Sequence, residues 1–242
     1  MISVILIEPE IPGNIGAVAR AVKNFGCSSL ILVNPKCDHL CDEARDRASH
    51  AGDVLRNAKV KDYSVLESFD YLAATTSKLG KDYNIPRVAI SPAQLSEKLG
   101  SISRKTRLGL VFGRESYGLS NEEIMKCDFA VSIPCSGKYP AMNLSHAVAV
   151  MLYELCKSRE GNSRKESITP IGAADKRQIL RIVDSILDRL EFSTKEKKET
   201  QKKVWKRMIG KSFMTRREAF ALMGFLKKVN RDFRDKDRYM SR

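Results

Sequence analysis

Short apolar runs alternate with stretches of helical period through the first 156 residues, and this alternation constrains the fold more than any other feature. Ser3–Ile7, Leu30–Val33, Leu108–Phe112 and Phe129–Ile133 are such runs, with Asp70–Ser77 a fifth that ends in small hydroxyl residues. Glu8-Pro9 and Asn34-Pro35 close the first two. Apolar runs without polar alternation belong to strands buried on both faces, so the pattern predicts an α/β fold, a parallel sheet with helices on both faces. Parallel sheets bind ligands beyond the carboxyl ends of their strands. Three loops fall there: Thr75–Ser77, Gly113–Gly118 and Ile133–Met142.

The intervening segments read as helices. In residues 11–26, Ala17, Val18, Ala21, Val22 and Phe25 recur at helical spacing and Gly26 supplies a stop. The charged stretch Asp42–Arg56 predicts one exposed helix, and Ser91-Pro92 opens another that runs to Leu99. Ser120 and Glu123 have capping-box spacing. Pro134, Gly137 and Pro140 force a loop, after which Asn143 caps a helix whose Leu144, Ala147, Val148, Met151, Leu152 and Leu155 form an apolar stripe.

Several chemistries are disfavoured. The first strand lacks a G-x-G-x-x-G turn and no G-x-x-x-x-G-K-[ST] loop occurs, which argues against ordinary dinucleotide and nucleoside triphosphate sites. His146 lies beside Ser145, but adjacent helix residues do not face each other and G-x-S-x-G is missing, which argues against nucleophilic hydrolysis. Cys37, His39, Cys41 and His50 lack a second cysteine pair, so no metal is expected. The six cysteines show no disulfide-scaffold spacing and read as reduced thiols. No apolar run reaches bilayer length and Met1–Ile7 has no basic leader, so the expectation is a cytoplasmic protein with no membrane partner.

Charge divides the chain. Residues 1–156 carry 18 Lys+Arg against 17 Asp+Glu, whereas residues 157–242 carry 25 against 12. Such a concentrated excess predicts a polyanionic partner, nucleic acid first, ahead of a solvated or membrane-surface helix. The organisation expected is a domain over 1–157, a polar linker over 158–172, and a basic helical extension over 173–242 that binds RNA or supports a dimer. Within the extension the period predicts helices at Asp175–Leu190, Ser193–Ile209 and Thr215–Phe233. Trp205, Phe213, Phe220 and Phe225 interleave with the cations, as a bundle core or as stacking groups.

Three segments carry a family resemblance: N-x-G-x-x-x-R at Asn14–Arg20, G-x-E-x-x-G-L at Gly113–Leu119, and Ile133-Pro134 followed by Asn143-Leu144-Ser145. Their order and spacing resemble the SPOUT superfamily of S-adenosyl-L-methionine-dependent RNA methyltransferases, in the branch that methylates ribose 2′-hydroxyls. The appended basic helices look most like its tRNA enzymes acting at anticodon-loop nucleotide 32. Alternatives are a ribosomal RNA 2′-O-methyltransferase or a non-catalytic RNA-binding protein. The resemblance implies a deep C-terminal trefoil knot and a homodimer whose active sites borrow from the partner.

By the same resemblance Arg20, Asn14, Glu115 and Asn143 form the catalytic set, with Glu115 fixing Arg20 or the backbone of the second motif. Thr75, Thr76, Ser77, Gly113, Ile133, Pro140, Ala141 and Met142 then hold the cofactor, chiefly through main-chain atoms. The related enzymes often have serine where this chain has Ala141, with Ser136, Tyr139 or Ser145 as candidate substitutes.

Overall fold

The computed structural model describes residues 1–27, 29–78, 88–100, 102–103, 105–161 and 168–240. Its first part is a seven-stranded sheet: β1 (Ile2–Ile7), β2 (Ser29–Val33), β3 (Lys59–Lys61), β4 (Tyr71–Thr75), β5 (Ala89–Ile90), β6 (Leu108–Phe112) and β7 (Phe129–Val131). The order across the sheet is β3-β2-β1-β6-β4-β7-β5, and the strand pairs are parallel. β1, β4, β6 and β7 are buried almost throughout, as their apolar runs require. The edge strands β3 and β5 escape sequence reading for a physical reason. β3 is the exposed tripeptide Lys-Val-Lys and β5 has two residues, too short for any period to show.

Helices cover both faces. α1 (Pro12–Asn24), α2 (Asp42–Ala48), α3 (Gly52–Arg56), α4 (Pro92–Gly100) and α6 (Leu144–Gly161) close over one side, where Val18, Ala44, Leu95, Val148 and Leu152 join one core. The short helix Tyr63–Ser68 and α5 (Asn121–Lys126) cover the other with Leu66 and Ile124. The single exposed helix expected over Asp42–Arg56 is two helices joined by a turn at Ser49–Ala51. Ser49 takes φ 49°, which breaks the helical run, and Ala44, Ala48 and Leu55 are buried rather than exposed.

Gly16 determines how closely α1 and α2 approach. A Cβ there would stand 2.1 Å from the Ala44 carbonyl oxygen and 2.9 Å from the Ala48 nitrogen, both backbone atoms unable to yield locally. Gly16→Ala is therefore expected to cost roughly 1–3 kcal/mol or more, as overpacking does. A lowered urea midpoint checks this; an unchanged one would mean that the two helices do not touch at Gly16.

The extension comprises α7 (Ala173–Leu187), α8 (Lys195–Ser212) and α9 (Arg216–Met240), which share a small core of Ile179, Val183, Ile209, Met223 and Leu226. Within the stretch read as a linker, α6 continues to Gly161, Ile168 bridges Ile102, and Ile171 is buried; 162–167 lies outside the described residues. The extension docks at the amino ends of β4 and β7. Phe213 stacks on Tyr71 at 4.5 Å, and Lys176, buried, pairs with Asp128 just before β7. Arg207 donates to the Ile124 carbonyl at 3.1 Å, and Lys206 donates to that of Met125.

Candidate active site

β1, β6, β4 and β7 are consecutive in the sheet, so the segments leaving their carboxyl ends meet. They enclose a cavity of about 480 Å³, within the range of small-molecule sites. Thr75, Thr76, Ser77, Gly113, Ile133, Pro140, Ala141 and Met142 all line it, as do Asn14, Glu115 and Asn143. Sequence separations of more than a hundred residues thus collapse into one site.

Each loop is held by local bonds. Thr75 Oγ1 donates to the Val111 carbonyl at 3.0 Å, and Thr76 N donates to that of Val131 at 3.0 Å, which ties the end of β4 to both neighbours. Gly113 allows the loop after β6 to fold back on itself: a Cβ there would lie 2.1 Å from the Gly118 carbonyl carbon. Gly118, at φ 74°, completes the turn. At the start of α6, Asn143 Oδ1 accepts from Ser145 N at 2.9 Å, the N-cap that the sequence predicted.

A polar relay links the three motifs. Asn143 Nδ2 donates to Asn14 Oδ1 at 3.0 Å, and Asn14 Nδ2 donates to Glu115 Oε1 at 3.0 Å. Glu115 also accepts from Glu10 N at 2.9 Å and Ile11 N at 3.4 Å. Glu10 returns the bond, accepting from Ser116 N at 3.2 Å and Ser116 Oγ at 3.0 Å. The β1–α1 and β6–α5 connections are thereby stapled together.

One expectation needs correction, and one residue stands apart. Glu115 does not hold Arg20; its oxygens are taken by Asn14 and by backbone donors. Arg20 is exposed and lies outside the cavity lining of its own chain. Helical geometry explains why, since six positions at about 100° each leave Arg20 some 120° around α1 from Asn14. Of the candidates to replace the serine at Ala141, Ser145 Oγ is committed to Asn143 Oδ1 at 2.7 Å and Ser136 Oγ accepts from Lys138 N. Tyr139 is the one of the three that lines the cavity.

Sequence reading also missed a buried ionic clamp beneath the site. Arg114 forks onto both oxygens of Glu123 at 3.0 Å, while its Nε donates to Glu8 Oε2 at 3.2 Å. Tyr63 Oη donates to Glu123 at 2.7 Å. Burial raises the Glu8 and Glu123 pKa values, but the Arg114 guanidinium beside them outweighs it and holds both below the ordinary carboxylate value. Burial and the Glu123 carboxylate push the Tyr63 hydroxyl up to about 12, which keeps it a donor. The only sequence signal was the capping box of α5, whose Glu123 serves both structures. Around the Cys37–Cys41 segment, the Cys37 thiol turns to the Pro9 carbonyl, and burial pushes it up to about 11.

Comparison with known proteins fits this architecture. The model of the SpoU rRNA methylase family matches residues 1–153. A protein of Methanocaldococcus jannaschii described as tRNA (cytidine-2′-O-)-methyltransferase TrmJ is 40% identical over 230 residues, 94% of this chain and 99% of that one. The protein of the same description from Sulfolobus acidocaldarius is 32% identical over 231 residues, 94% of this chain and 93% of its own. The structure of a probable methylase family protein from Haemophilus influenzae superposes with a TM-score of 0.65 at 26% identity, covering 97% of this chain and 98% of that one.

Proposed function

The chain belongs to the SpoU methylase family, and from that premise we propose that it transfers the methyl group of S-adenosylmethionine to a ribose 2′-hydroxyl of tRNA, in the anticodon loop at nucleotide 32. The observation that carries this reading is the Asn143–Asn14–Glu115 relay on the wall of the strand-end cavity. The similarity to tRNA enzymes through the basic extension supports tRNA over ribosomal RNA as substrate.

The residues present fit the cofactor. The cavity has the volume of a small-molecule site, and Thr75, Gly113 and Ile133 offer main-chain walls at three adjacent strand ends. When bound, S-adenosylmethionine supplies an electrophilic methyl on a sulfonium. What this chain supplies is alignment and charge. The relay fixes the two asparagines so that the hydroxyl meets preset donors and acceptors instead of mobile side chains.

A guanidinium is a donor and not a general base, so the role of Arg20 is to stabilise the developing oxyanion while a phosphate oxygen of the RNA takes the proton. Because Arg20 lies outside its own cavity, the proposal includes a homodimer in which the partner's Arg20 completes each site. The trefoil knot belongs to the same proposal, with residues 133–155 threaded so that the loop bends around the cofactor.

Incubating the protein with labelled S-adenosylmethionine and total RNA, then mapping methylated riboses by mass spectrometry, tests the reading. A single 2′-O-methyl in the tRNA anticodon loop is expected. Label confined to ribosomal RNA would replace the substrate class, and RNA binding without transfer would leave a non-catalytic binding protein.

The extension's part is tested by charge reversal. Truncation is unsuitable, because it would uncover Tyr71 and Phe129 and leave Asp128 without Lys176. Arg217, Lys228 and Arg231 are exposed on α9. Reversing them to Glu is expected to weaken tRNA binding and to lower the log–log salt slope by roughly 0.9 for each phosphate that is no longer neutralised. An unaltered slope would assign this face of the helix to another task.

A further inference from the structure

Large apolar side chains that stay exposed gather at the cavity mouth. Ile11, Tyr117, Tyr139 and Met142 are 44%, 62%, 79% and 38% exposed, and all four line the cavity. They come from three separate connections, so no helix period or strand pairing places them together. Leaving such groups in water forgoes about 25 cal/mol for each Å² that burial would remove, and their clustering beside a cavity marks a surface that a ligand covers.

Deeper in the same cavity the lining changes character. Phe112, Leu119, Val131 and Leu144 are buried there. Of the cofactor residues, Gly113 is buried at this level and Thr75 and Ile133 are half-buried, while Met142 joins the rim, where the second ligand meets the cofactor. The second ligand's chemistry is legible. Lys78 lines the cavity and is exposed, and Lys138 is exposed on the same loop as Tyr139, so the mouth favours an anion beside an aromatic. The Tyr117 ring is preset, because the buried, clamped Arg114 places its guanidinium carbon 4.9 Å from the ring centroid. One face of that ring is thus fixed by the protein.

We propose that this rim receives the target nucleobase of the RNA by stacking on Tyr117 and Tyr139, with Lys78 and Lys138 facing its flanking phosphates. The proposal rests on the ribose methyltransferase reading. A ribose that presents its 2′-hydroxyl to the Asn143–Asn14–Glu115 relay has its base one glycosidic bond away, at the level of the rim. A base in a duplex cannot reach that position, so the rim selects an unpaired nucleotide. Stacking is tolerant of base identity because every base presents a π-face, so the two tyrosines select for access more than for sequence.

The test uses the full-length protein and an anticodon stem–loop RNA carrying 2-aminopurine at each loop position in turn. Tyr117→Ala and Tyr139→Ala alter exposed side chains, so the variants should fold. Each is expected to raise KM for the RNA roughly tenfold, with S-adenosylmethionine affinity by calorimetry unchanged and the Phe variants near wild type. Quenching of 2-aminopurine at one loop position should weaken in the Ala variants and persist in the Phe variants.

Unchanged KM and quenching in both Ala variants would overturn the proposal. A parallel loss of cofactor affinity would also overturn it, by assigning the rings to the cofactor's adenine. If the wild type methylates no RNA, the methyltransferase reading fails on its own. The quenching measurement still decides whether the rim holds a base.

Discussion

Arg20→Ala is expected to lose at least about a hundredfold in methyl transfer while binding S-adenosylmethionine as the wild type does. The magnitude is that of removing one preorganised charge from a developing oxyanion. Cofactor affinity should hold because Arg20 lies outside its own chain's cavity. The same placement makes a sharper prediction. If the partner's Arg20 completes each site, mixing Arg20→Ala with Asn14→Ala dimers and allowing subunit exchange restores about a quarter of wild-type activity, since half the dimers become mixed and each carries one intact site. A mixture as inactive as its parents would show that Arg20 does not act across subunits. Full activity in Arg20→Ala alone would remove it from the mechanism.

The placement of Arg20 shows what sequence can and cannot disclose. The parallel sheet was legible because burial on both faces writes itself as apolar runs, and β1, β4, β6 and β7 carry them. The convergence of Thr75, Gly113 and Ile133 was legible too, since parallel strands put their carboxyl ends on one side. It needed one fact beyond the pattern, that β6, β4 and β7 are neighbours. The partners of Glu115 were not legible. Backbone donors such as Glu10 N and Ile11 N have no residue signature, so pairing Glu115 with Arg20 by charge does not find them. The aromatics of the extension divided for the same reason. Phe213 stacks on Tyr71 at the start of β4, while Phe220 and Phe225 on α9 are 63% exposed, a split that helical spacing alone cannot encode.

The ionic clamp is not legible in local pattern because Glu8 and Tyr63 lie 106 and 51 residues from Arg114, and its removal should have the largest effect on stability. Arg114→Met keeps much of the volume but strips Glu123 of its cation and leaves Glu8 only the exposed Lys36 at 3.5 Å. Removing one partner from a buried ion pair costs about 3–5 kcal/mol, so a large fall in the urea midpoint at pH 7 is expected. Acid should then separate the two proteins. In the wild type both carboxylates have lowered pKa values, so their contribution is complete above the unfolded value of roughly 4.3 and is lost as pH falls through the folded values. In Arg114→Met the guanidinium is gone and burial, the largest influence on both, meets only Lys36 at Glu8 and the Tyr63 and Ser120 hydrogen bonds at Glu123, so the folded values rise. Where burial prevails the sign reverses, and the penalty is full near neutrality and is relieved as the pH drops and the carboxylates take up protons. Urea midpoints at pH 7 and pH 5 should therefore converge. A gap that widens on acidification, or a midpoint equal to wild type at pH 7, would show that Arg114 is not what neutralises the pair. The link to function follows from position. Arg114 lies between Gly113 and Glu115, so a loosened clamp frees the loop that walls the cavity. Glu123→Gln in the Arg114→Met background removes one of the stranded charges and should recover part of both the midpoint and the cofactor affinity.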